Sequence, residues 1–146
     1  MIFKICCKDI NNLTTTEVTT IMSRLSWPDS GSDSSIQKEL IKRYVTVTPG
    51  LKPAMTLALI WINDELVGWV GTRPWPEKFK GNPIMAQTVE CFVDENHRRK
   101  GIGRIGLQAL IAAGFVNRLR PVSVYAPEVI KLAEQCGCAI VIYCDS

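Results

Sequence analysis

Between Gln87 and Gly106 the chain reads QTVECFVDENHRRKGIGRIG, and few folds accommodate residues in that order. Val89, Cys91 and Val93 alternate with Thr88, Glu90 and Phe92, the period of two that marks a pleated strand. Polar residues 94–97 follow, then the cations Arg98-Arg99-Lys100, then Gly101-Ile102-Gly103. Behind them, Ile105 to Leu119 carries apolar residues at helical spacing. The start of a helix presents main-chain N–H groups that lack intrahelical partners and carry partial positive charge. Glycines let an anion come close to the backbone, and the three cations add to the field. The stretch is an anion cradle, suited to phosphate.

Two phosphate ligands compete for it. Gly101-Ile102-Gly103-Arg104-Ile105-Gly106 satisfies the dinucleotide pattern G-x-G-x-x-G, and Glu128 lies near the distance at which that pattern wants an acid. Against it, Asp94 to Lys100 separate the strand from the first glycine, and too little chain follows Gly106 for several more βα units. The segment instead resembles motif A of the GNAT superfamily of N-acetyltransferases. There a strand ending in valine leads through Arg/Gln-x-x-Gly-x-Gly/Ala into a long helix. The matching residues here are Val93, then Arg98-Arg99-Lys100-Gly101-Ile102-Gly103, then Arg104.

The resemblance implies acetyl-CoA as the acetyl donor and a primary amine as the acceptor, on a small molecule or on a protein lysine or N-terminus. It implies that Arg98, Arg99, Lys100, Gly101, Ile102, Gly103 and Arg104 hold the pyrophosphate, largely through main-chain groups. It assigns the thioester to the main chain of Cys91, Phe92 and Val93. Glu90 is then the candidate general base; the alternative is a solvated carboxylate sharing a polar face with Thr88. The family tyrosine that serves as acid sits four residues before the glycine ending the last helix. Counting back from Gly137 gives Ala133, so Tyr125 becomes the candidate acid, with Tyr143 and Cys136 as substitutes. The acceptor is expected between Trp27 and Ser34 and between Thr72 and Pro83, where Trp27, Trp75, Asp29 and Asp33 could contact it. A GNAT-like protein that binds acetyl-CoA or a partner without turnover is the alternative function, and a nucleotide- or nucleic-acid-binding module is a third.

Composition narrows the classes further. The 146 residues suffice for one domain over 1–146, with 47% hydrophobic and 21% charged residues, ordinary globular values. A net charge of +3 concentrated at residues 98–104, Arg118 and Arg120 fits a local phosphate site and not a nucleic-acid surface. No uncharged apolar run reaches the roughly 18 residues of a membrane span, and the first residues do not read as a signal peptide, so a cytoplasmic protein is expected. The six cysteines include no C-x-x-C pair, and His97 is the one histidine. No metal site is expected, and the cysteines read as reduced, buried thiols.

In chain order, Ile2 to Cys7 reads as a strand. Leu13 to Leu25 reads as a helix capped by Thr14, Thr15 or Thr16, with Val18, Ile21, Met22 and Leu25 on one face. A second helix runs from Ile36 to Tyr44, capped by Ser34 or Ser35, with Ile36, Leu40 and Ile41 or Tyr44 inward. Met55 to Ile62 and Leu66 to Thr72 form a hairpin around Asn63-Asp64-Glu65, and Gly68 and Gly71 signal a bulge or a close backbone approach. Arg73 to Pro83, with three prolines, reads as an ordered loop before the strand Ile84 to Val93. A helix from Gly103 to Leu119, a strand from Pro121 to Tyr125, a helix from Pro127 to Gln135 closed by Gly137, and a strand from Ala139 to Cys144 complete the chain. The class is α/β: a single mixed, mostly antiparallel central sheet flanked by helices, resembling the GNAT order with a short C-terminal arm. That early end is expected to leave the last strand as an edge covered by a second copy, giving a homodimer.

Overall fold

The computed structural model describes residues 2–27, 36–46, 53–79, 81–123 and 126–141. Most of the expected acceptor segment, with Asp29 and Asp33, the Ser34 or Ser35 cap, Tyr125, Tyr143 and Cys144 lie outside the described residues. Four strands run antiparallel in sequence: β1 (Phe3–Asp9), β2 (Thr56–Ile62), β3 (Glu65–Phe79) and β4 (Asn82–Val93). Two short strands, β5 (Val122–Ser123) and β6 (Ile140–Val141), then add in parallel. Spatial order follows chain order, so this is one mixed, mostly antiparallel sheet.

Helices cover both faces. The helices α1 (Thr15–Arg24) and α2 (Ile36–Tyr44) bury Ile21, Leu25, Ile36 and Leu40 against Leu57, Leu59, Trp69 and Phe92. On the other face α3 (Ile102–Ala112) and α4 (Pro127–Gln135) bury Ile102, Leu107, Leu110 and Ala133 against Ile60, Val70, Val89 and Val122. Among the described residues no helix is long and apolar enough to cross a membrane.

The three candidate caps of α1 resolve to Thr14, because only Thr14 has a glutamate three residues on. Its hydroxyl accepts from the Glu17 amide at 3.1 Å, and Glu17 Oε1 accepts from the Thr14 amide at 2.8 Å. Lys8 Nζ on β1 also donates to both Glu17 oxygens, at 2.9 and 3.1 Å, so the cap pins the helix to the sheet. Burial acts to raise the Glu17 carboxyl, but the Thr14 amide and Lys8 outweigh it and hold it below the usual carboxylate value. A depressed carboxyl contributes stability that is full above the ordinary value of about 4.3 and lost as pH falls through the folded value. The denaturation midpoint of Glu17→Gln should therefore lie below wild type at pH 7 and converge on it in acid. A gap that stays constant with pH would show that Glu17 acts by shape alone.

In α2, Ile36 and Leu40 are buried as expected, but Ile41 and Tyr44 are both 37% exposed. Tyr44 serves by its tip: the hydroxyl donates to the Ile10 carbonyl at 2.6 Å and accepts from the Leu13 amide at 2.9 Å.

Three expectations need correction. The β2–β3 turn is two residues, Asn63 and Asp64 at φ 49° and 65°, and Glu65 already belongs to β3. The register shift falls at Ile60/Trp61, opposite Gly68, so the glycine signal marked a real bulge. Residues 73–83 are not a loop but the outer half of a long β3–β4 hairpin, paired from Arg73↔Thr88 to Phe79↔Asn82. Pairing of β3 with β2 ends at Thr72, and Pro74 and Pro76, two apart, place both missing donors on one side of the strand. An edge strand tolerates that. Finally, α3 ends at Ala112 and not Leu119. Gly114 at φ 84° closes it, the Gly114 amide donating to Ile111 and the Phe115 amide to Leu110 at 2.9 Å. This glycine-terminated turn ended the helix although the apolar pattern ran on.

Candidate active site

The site grows from the end of β4. Val89, Cys91 and Val93 pack toward α3 and α4, whereas Phe92 is buried with α1 and α2. Glu90, two residues before Phe92, therefore projects on the α1/α2 side. It is half-buried, and its cross-strand partner is Gly71. A side chain at Gly71 would meet Met55 Sδ at 2.6 Å, so Met55 and Leu57 lie close over that position. Thr88 shares the face, and its hydroxyl is withdrawn from solvent. The face carrying Glu90 is thus partly withdrawn from water beside Met55, Leu57 and Thr88.

Among the described residues β5 pairs with β4 only at Gln87 and Thr88. From there β4 itself runs on to Val93. A single turn of 3-10 helix, Glu95–His97, carries the chain round, anchored by the Asp94 amide on the Val67 carbonyl at 2.7 Å. Asp94 and His97 also pair at 3.3 Å.

The loop then adopts the backbone of a cradle. Arg99 and Gly101 both have positive φ, 65° and 74°, and Gly101 is the N-cap of α3 without a side-chain cap bond. The first helical bond in α3 is from the Ile105 amide to the Gly101 carbonyl, at 3.1 Å. Among the described residues none of the main-chain N–H groups from Arg99 to Arg104 has a partner. They border a cleft of ≈ 300 Å³ lined by Val93, His97, Arg98, Arg99, Gly101, Ile102, Gly103 and Arg104. Glu128, Lys131, Leu132 and Gln135 of α4 line the same cleft. Unpaired donors at a helix start with cations beside them fit a phosphate group.

The residues of the cradle divide their work differently from the expectation. Gly103 was expected to let phosphate near the backbone. A side chain there would instead meet Cys91 Sγ at 3.2 Å and Leu132 at 3.6 Å, so its bareness lets the helix start pack on β4 and α4. A side chain at Gly101 would meet nothing within 4 Å, and its need is the left-handed backbone. Lys100 is exposed and is not among the residues lining the cleft. Burial pushes the Cys91 thiol up to about 12 despite the nearby Arg98 charge, so it stays neutral. Arg98 folds back, its Nε donating to the Val93 carbonyl at 2.9 Å.

Tyr125 lies outside the described residues, and Ala133 is a fully buried core residue on α4. The α4 wall escaped sequence reasoning, although Glu128, Lys131, Leu132 and Gln135 recur at i, i+3, i+4, i+7, a helical face open to detection.

A mixed sheet with a helix start of unpaired amides beside the end of its fourth strand makes a domain whose site is suited to a phosphate group. The sequence profile of the Acetyltransferase (GNAT) family matches residues 19–138, and the chain belongs to that family. No curated sequence matches it significantly. Among solved structures, ribosomal-protein-alanine N-acetyltransferase from Brucella melitensis biovar Abortus 2308 superposes with a TM-score of 0.56 at 19% identity, covering 99% of this chain and 97% of that one. Glucosamine-6-phosphate N-acetyltransferase from Arabidopsis thaliana gives 0.57 at 14% identity, over 100% and 97%. An aminoglycoside N-acetyltransferase in complex with CoA gives 0.56 at 13% identity, over 99% and 97%. At these identities the superpositions establish a shared fold.

Proposed function

We propose that the protein is an acetyl-CoA-dependent N-acetyltransferase acting on a primary amine by direct attack on the thioester. The observation that carries this is the run of unpaired amides from Arg99 to Arg104, bordering a cationic cleft beside the end of β4. The CoA complex of a structural neighbour agrees with that use of the fold.

Acetyl-CoA, when bound, supplies the acetyl thioester. The loop from Arg98 to Arg104 holds its phosphates, and the main chain of Cys91, Phe92 and Val93 holds the thioester end and polarises its carbonyl. Glu90 receives the proton that the amine loses as it becomes a nucleophile. Tyr125 returns a proton to the leaving sulfur, a step that water can also perform. Cys91 has a second duty as a neutral, buried neighbour of Gly103.

A second reading, acetyl-CoA binding without turnover, draws on one observation. Ala133, where the family carries its acid, is buried and has no proton to give. Release of free CoA thiol with a panel of small amines, peptides and proteins separates the two. Acceptor-dependent release supports catalysis; acetyl-CoA binding with no release for any acceptor supports the second reading.

A further inference from the structure

We infer that Trp27 is a positioning residue for the phosphate cradle, acting through Arg98. The inference rests on reading that cradle as a phosphate site. Arg98 belongs to the lining of the cleft, yet its guanidinium carbon lies 5.5 Å over the Trp27 ring and 5.3 Å over the Phe92 ring. Those two rings meet edge to face, with centroids 4.9 Å apart and an interplanar angle of 72°, forming an aromatic corner around the cation. The third restraint is the bond from Nε to the Val93 carbonyl. Three contacts thus fix one end of a side chain that otherwise has many rotamers. Both terminal nitrogens of the guanidinium remain without a partner among the described residues.

The two rings are not equivalent. Phe92 is 8% exposed and anchored in the core, but Trp27 is 60% exposed. A large aromatic left that open makes little contribution to the core, and its position beside Arg98 gives it another use. Trp27 lies just beyond the end of α1, so it ties that helix to the first residue of the cradle loop. An arginine already immobilised loses less freedom when a phosphate oxygen arrives, and binding is tighter for it.

The test is calorimetric titration of CoA, and of inorganic pyrophosphate, into wild type, Trp27→Ala, Trp27→Phe, Arg98→Ala and the double variant Trp27→Ala/Arg98→Ala. Trp27→Ala is expected to weaken both ligands by roughly 2- to 10-fold, the usual cost of ordering one long side chain. Trp27→Phe, which keeps an aromatic face, should recover most of the loss. The double variant should bind no more weakly than Arg98→Ala alone, since Trp27 has nothing left to position. Wild-type affinity in Trp27→Ala, or losses that multiply in the double variant, would overturn the inference while leaving the cradle intact. If wild type binds neither ligand, the proposed function falls and this inference falls with it.

Discussion

Replacing Glu90 with glutamine should slow acetyl transfer by roughly 10²- to 10⁴-fold, the span over which a positioned base acts. The change keeps the shape of the side chain and removes its capacity to take a proton. Glu90 is half-buried on the α1/α2 side of β4, two residues before Phe92 and two after Thr88, the last β4 residue paired with β5 among the described residues. Affinity for acetyl-CoA should hardly change, because the proposed phosphate site is the run of unpaired amides from Arg99 to Arg104 and not Glu90. A base works only when deprotonated, so removing the proton acceptor should remove any acid limb that wild type shows in its pH–rate profile. The glutamine variant has nothing to titrate there, and that limb of its pH–rate profile should be flat. Turnover near the wild-type rate would show that Glu90 is only a carboxylate beside the site.

Local signals explain what was legible beforehand. The cradle was visible because strand, cations and glycines sit in one continuous stretch, and the N–H groups of a helix start need no distant partner to be inferred. Thr14 with Glu17, Pro127 at the start of α4 and Gly137 after it are equally local, and each acts where the sequence placed it. Expectations failed where tertiary context overrode local preference. Pro74 and Pro76 break an isolated strand, but among the described residues no strand pairs with β3 on that side beyond Thr56↔Thr72, so the missing donors cost no ladder bond. Beyond Gly114 the apolar residues served two ends: Val116 is buried, and Leu119 is 90% exposed. Periodicity could not separate those roles, and the glycine was the better guide. The stack of Arg98 on Trp27 joins residues far apart in sequence, and no spacing rule reports it.

Glu39→Ala should be the most damaging substitution for stability, costing about 3–5 kcal/mol, the usual result of breaking a buried ion pair from one side. Glu39 on α2 accepts from Arg73 on β3 through a short charged bond, and from Arg43 Nη2 at 3.2 Å. All three side chains are almost fully withdrawn from water, with 2% of Arg73 and 7% each of Glu39 and Arg43 exposed. Without the carboxylate, the Arg73 guanidinium keeps among the described residues only the Pro53 carbonyl, at 3.3 Å, and must stay charged in a dry site. The cost therefore comes from desolvation left uncompensated, more than from attraction lost. That origin yields a second expectation. Glu39→Leu combined with Arg73→Met removes both charges together, and the double variant should be more stable than either single one. Urea denaturation measures all four proteins, and a double variant weaker than both singles would show that neither charge is left stranded when its partner is removed. The consequence reaches the site. Arg73 faces Thr88 across the hairpin, and Thr88 shares its face with Glu90. Loosening α2 from β3 should therefore lower transfer activity at temperatures where the sheet is still folded, with the loss appearing in acceptor KM before it appears in acetyl-CoA affinity.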